Sequence, residues 1–177
     1  MLLKTTLRLS LSFIYDYLMS LILTFFVSMA VTIIITLRKV VLTDTMAVIQ
    51  SSFTAFMHCV LIYASAFKEA GRDQNRINYN HMKKFMLKGA AAMFIAIIPL
   101  LILYIGSVAG QDSLFPLFTA VCWQYIGFIN LLSNIARPLA GLVFLIPATA
   151  AVLGYLAGYY DFNIIDRLVY VKSKKKL

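Results

Sequence analysis

The most reactive side chains of this sequence sit inside an apolar stretch. Ser51, Thr54, His58 and Ser65 follow one another at offsets of three, four and seven, with Gln50 alongside. That spacing lines them up on one helical face. Histidine titrates near neutral pH, so an imidazole among hydroxyls could relay a proton or hold a polar solute. Neutral imidazole and hydroxyls serve equally well as hydrogen-bonding glue between helices. A metal site is not expected, because Cys59 points to another face and His81 falls in the following polar loop. No Asp or Glu is expected at the depth of His58 to exchange a proton with it.

Other chemistry is absent from the pattern. There is no G-x-S-x-G, no H-E-x-x-H, no phosphate-cradling glycine loop and no C-x-x-C. Asp161 and Asp166 lie five apart and do not share a helix face. Cys59 and Cys122 are too few and too distant to frame a disulfide scaffold. The chain is therefore not expected to be an enzyme, and no cofactor is called for.

The elements that carry these residues follow from composition. Of 177 residues, 62% are apolar and 13% charged, with a mean hydropathy of +0.86. Soluble domains are about half apolar and about a quarter charged, and disordered chains are more polar still. An all-α integral membrane protein is what remains. Uncharged runs at 18–37, 46–67, 89–110 and 139–160 are each long enough to cross a hydrocarbon core. A fifth, at 114–136, is weakened by Pro116, Gln124, Asn130, Ser133 and Asn134. Four spans with the N-terminus inside put thirteen of the sixteen basic residues on the cytoplasmic side, whereas five spans leave hardly any bias.

The expected fold is thus a four-span bundle with both termini cytoplasmic. The segment 114–136 becomes a re-entrant or interfacial helix on the outer side, or else a weak fifth span. Read as one continuous helix, it carries Gln124, Gly127, Asn130, Asn134 and Arg137 along one stripe. Residues 1–17 read as an amphipathic interfacial helix, with Lys4, Arg8, Ser12 and Asp16 every four residues and Leu3, Leu7, Leu11, Ile14 and Leu18 toward lipid. The tail, 161–177, repeats the device: Asn163 caps a short helix, and Lys172, Lys174, Lys175 and Lys176 favour an anionic inner leaflet. Such a protein fits a bacterial plasma membrane, or the endoplasmic reticulum if the terminal lysines act as a retrieval signal. Gly71 is read as the stop of the second helix and Asn80 as the start of the third. The loop from Lys68 to Lys88 offers Arg72, Arg76, Lys83 and Lys84 for docking or for lipid headgroups.

Packing signals complete the pattern. Ser20, Thr24, Ser28, Thr32 and Thr36 recur every four residues in the first span, a spacing that lets a neighbouring helix come close. The third and fourth spans share I-P-x6-G-x2-A-G, at Pro99 with Gly106 and Gly110 and at Pro147 with Gly154 and Gly158. This predicts two kinked helices with close-packing glycines, in opposite orientation. With small size, packing stripes and no catalytic motif, the leading expectation is an accessory or scaffolding subunit of a membrane assembly. An oligomeric small-solute transporter or channel comes second and a lipid-acting membrane enzyme third. Expected partners are the bilayer and other membrane subunits or further copies; the net charge of +9 is accounted for by topology, without nucleic acid.

Overall fold

A computed structural model describes residues 2–38, 44–79 and 85–160. They form six α-helices: α1 (Leu2–Arg38), α2 (Asp44–Asn78), α3 (Lys88–Val108), α4 (Leu114–Val121), α5 (Ile126–Ile135) and α6 (Leu145–Tyr159). Short 3-10 stretches at Trp123–Tyr125 and Arg137–Phe144 complete the described residues, which contain no strand. Four stretches are long and apolar enough to cross a membrane: Leu2–Arg38, Thr45–Asn78, Lys88–Val108 and Arg137–Tyr159.

The expected division of the first helix at residue 17 is not there. α1 is continuous over 37 residues, about 55 Å at the usual rise. Its first half packs into the bundle through Leu9, Phe13, Asp16, Ser20 and Thr24, while Leu3, Leu7, Leu11, Ile14 and Leu18 stay exposed. The two stripes of period four are one stripe, running from Lys4 to Thr36. The sequence reading divided it where charge stopped, yet a buried partner face lets a helix carry Asp16 without a break.

The ends of α2 and α3 differ as well. α2 runs through Gly71 to Asn78, and α3 starts at Lys88; Asn80, Lys83 and Lys84 lie outside the described residues, as does the tail from Asp161. Beyond Gly71, ion pairs of Glu69 and Asp73 with Arg72, Arg76 and Lys88 hold the extra turns together. That offsets the helix-weakening glycine, which costs about 1 kcal/mol.

Directions follow from the cross-helix pairs. α1 is antiparallel to α2, with Ser12 against Ser65 and Gln50 against Ser28. α3 is antiparallel to α2, with Lys88 against Asp73. α6 runs parallel to α2, with Cys59 near the Ile146 carbonyl and Gly158 on Phe67. Lys4, Arg8, Lys68, Arg72, Arg76 and Lys88 therefore gather at one end of the bundle, and Arg38 and Arg137 at the other.

The repeated motif takes two different roles. On α6, a Cβ added at Gly154 would fall 2.6 Å from the Tyr63 carbonyl oxygen, and one at Gly158 would run into that of Phe67. These glycines bring α6 against α2. On α3, Gly106 faces the side chains of Leu114 and Gln111, and Gly110 is a turn residue with φ +104° and open space around it. Pro99 lies inside α3, but Pro147 is the third residue of α6. The 3-10 stretch Arg137–Phe144 passes directly into α6, so Pro147 lies within the long stretch Arg137–Tyr159.

Candidate functional site: the polar core at the helix break

The continuous helix expected over 114–136 is broken. α4 ends at Cys122, and the following stretch is turned by 85°. Asp112 before α4 and Arg137 after α5 form an ion pair at 2.5 Å, and the Tyr104 hydroxyl donates to the Pro138 carbonyl. The bent pair thus begins and ends at the same end of the bundle, with its bend pushed between α1 and α2.

A break inside an apolar bundle frees backbone groups, and these need partners. The Tyr125 N–H bonds to the Cys122 carbonyl at 2.8 Å, leaving the Val121 carbonyl without its helical donor. The Tyr17 hydroxyl of α1 donates to it. From α2, the Thr54 hydroxyl donates to the Gln124 carbonyl at 2.8 Å, and the Ser51 hydroxyl accepts the Gly127 N–H at 2.7 Å. Gly127 allows this approach, because a Cβ there would collide with the Ala47 carbonyl.

The two side chains at the bend turn inward together. Gln124 places its amide oxygen 3.1 Å from the Ser20 hydroxyl and its amide nitrogen 3.2 Å from His58 Nδ1. Tyr125 Oη lies 2.5 Å from the same nitrogen. The Gln124 amide and the Tyr125 hydroxyl thus converge on Nδ1, whose single lone pair can accept from one of them in the tautomer that carries its proton on Nε2. Nε2 is buried with no hydrogen-bond partner, and the Tyr17 ring stands edge-on to the imidazole at 5.6 Å. His58 and Gln124 are 1% and 0% exposed, so the cluster is closed to solvent.

The predicted face of α2 is therefore split. Ser51, Thr54 and His58 meet at the bend, Gln50 bonds instead to Ser28 at 2.5 Å, and Ser65 lies at the far end beside Ser12 and Asp16. At that far end Asp16 is buried and leaves Oδ2 without a partner. Tyr17, Ser20, Gln124 and Tyr125 are the members that pattern reading missed as a group. The unbroken period-four stripe through Asp16 and Ser20 was a usable signal; the helix break was not.

A second polar cluster closes the basic end. Lys88 contacts Asp73, lies 3.6 Å from Glu69, and both it and Asp73 are fully buried. Tyr155 of α6 donates to Asp73 at 2.9 Å, and Arg76 pairs with Asp73 at 2.8 Å and with Glu69 at 2.9 Å. Of the residues expected for docking, Arg76 is thus tied into the fold, while Arg72 reaches Glu69 at 3.3 Å and stays partly exposed. No group of three or more metal-ligating side chains occurs among the described residues. No family model, curated protein or solved structure matches the chain.

Proposed function

We propose that this chain is a four-span membrane subunit with both termini cytoplasmic, and that it acts as an accessory or scaffolding component by binding other membrane helices. One observation carries the reading: none of the described residues of α1 beyond Thr24 is buried. Phe25, Phe26, Met29, Ile33, Ile34 and Leu37 face outward, and the Thr32 and Thr36 hydroxyls bond back to their own helix. A hydroxyl stripe satisfied in this way still lets a second helix approach closely. The basic residues at one end support the orientation. The ion pair between Asp112 and Arg137 supports α4–α5 as a re-entrant element on the outer side.

The polar core fits the same reading. Its hydroxyls satisfy the backbone of the break, so it fixes the re-entrant tip in place. A second reading, transport, is favoured by the unpartnered His58 Nε2 and Asp16 Oδ2, buried polar atoms of the kind that line solute paths.

Mild-detergent purification from the native membrane followed by native mass spectrometry separates the two. A stoichiometric, unrelated membrane chain is the expected result. A homo-oligomer whose reconstituted flux differs between His58→Ala and His58→Gln would establish transport instead. A lone monomer inactive in flux would remove both.

A further inference from the structure

Between the first half of α1 and the last half of α2, at the basic end of the bundle, lies a cavity of about 380 Å³. Its polar walls are Arg8, Ser12 and Tyr15 from α1 and Ser65, Lys68 and Arg72 from α2. The volume falls within the ~300–1,000 Å³ of small-molecule sites. Neither Arg8 nor Lys68 has an anionic partner among the described residues, and both are exposed. Glu69 also lines the cavity, but its two oxygens are taken by Arg76 at 2.9 Å and Arg72 at 3.3 Å. Arg72 has further N–H donors beyond that contact. Two unpaired cations and a partly free guanidinium thus converge on one space, and an anion is what would neutralise them.

The cavity is open on its apolar flank. Leu11 and Tyr15 at its rim are 66% and 61% exposed, on the side of α1 that carries Leu7, Ile14 and Leu18 outward. A ligand seated there meets basic groups at one end and lipid-facing carbon at the other. We propose that this groove binds the phosphate of an anionic phospholipid, with Arg8, Lys68 and Arg72 on the phosphate oxygens and the acyl chains running out past Leu11 and Tyr15. Arginine forks match phosphate geometry, and basic pockets between membrane helices hold anionic headgroups. The proposal rests on the chain being embedded in a bilayer and not on its being a subunit of an assembly.

The test is a lipid titration of the full-length protein in detergent, read by native mass spectrometry. Phosphatidylglycerol is compared with phosphatidylcholine, and inorganic phosphate is added as competitor. Phosphatidylglycerol is expected to be preferred, and Arg8→Gln with Lys68→Gln to lower the preference about thirtyfold, Arg8→Gln alone about fivefold. Lys4→Gln with Arg38→Gln removes the same charge elsewhere and is expected to leave the preference intact. No preference in the parent protein, an unchanged preference in the Arg8/Lys68 variant, or an equal loss in both double variants overturns the proposal. Displacement of the lipid by inorganic phosphate at comparable concentration also overturns it, assigning the groove to a free anion.

Discussion

Replacing Lys88 by methionine tests whether the basic end of the bundle is a closed electrostatic joint. Methionine keeps much of the lysine stem but leaves Asp73 and Glu69 facing a buried space without their shared cation. Both Lys88 and Asp73 are fully buried, so water cannot substitute. Breaking a buried pair by removing one partner costs about 3–5 kcal/mol. Asp73 keeps Arg76 at 2.8 Å and the Tyr155 hydroxyl at 2.9 Å, which places the expected loss at the lower end, about 3 kcal/mol. For a chain of this size that lowers the melting temperature by roughly 6–12 °C. Adding Asp73→Asn removes the uncompensated charge while leaving an acceptor for Tyr155. The double variant should regain about half of the loss, and because Asp73→Asn alone also costs stability, the coupling in the cycle should exceed that ~1.5 kcal/mol. Equilibrium unfolding in bicelles, by steric trapping or by heat, measures all four proteins. A Lys88→Met variant within about 0.5 kcal/mol of the parent, or strictly additive effects, refutes the reasoning, because the joint must then be hydrated.

Three further outcomes are expected. Alanine at Gly71, which meets nothing within 4 Å in mid-helix, should stabilise the protein by about 0.5–1 kcal/mol. The same change at Gly158, pressed on the Phe67 backbone, should destabilise it by about 2 kcal/mol or more; thermal unfolding of both variants checks the opposite signs. Tyr125→Phe should cost about 1 kcal/mol, and the loss should disappear in a His58→Phe background, as a double-mutant cycle would reveal. Single cysteines replacing Asp112 and Arg137 should each react with an impermeant reagent from the same side of sealed vesicles; labelling from opposite faces would make 113–136 a crossing segment.

Much of the architecture was legible before any coordinates. The apolar runs marked the four long helices, the basic residues marked one end of the bundle, and the glycines at 154 and 158 marked a close contact. The site was legible only in fragments. Ser51, Thr54 and His58 are visible as a face, but their partner Gln124 reads as part of the stripe of a continuous helix, and the helix is broken there. The period of four puts Asp16 with Lys4, Arg8 and Ser12 on the polar face of an interfacial helix, whereas it is buried in the bundle. Period and hydropathy describe one helix at a time, and each of these misreadings concerns groups stabilised by another helix.

That the chain forms long apolar helices, and where their charge lies, follows from composition, which fixes what lipid or protein must cover. That α1 continues past residue 17 into the bundle, that the segment after α3 bends at Cys122 and that Lys88 meets Asp73 follow from packing between helices. The physical reason is the same in each case: a freed carbonyl, a buried carboxylate or a buried ammonium is too costly alone. Whether it is tolerated depends on a donor or acceptor far away in sequence, such as Tyr17 for Val121 and Tyr155 for Asp73.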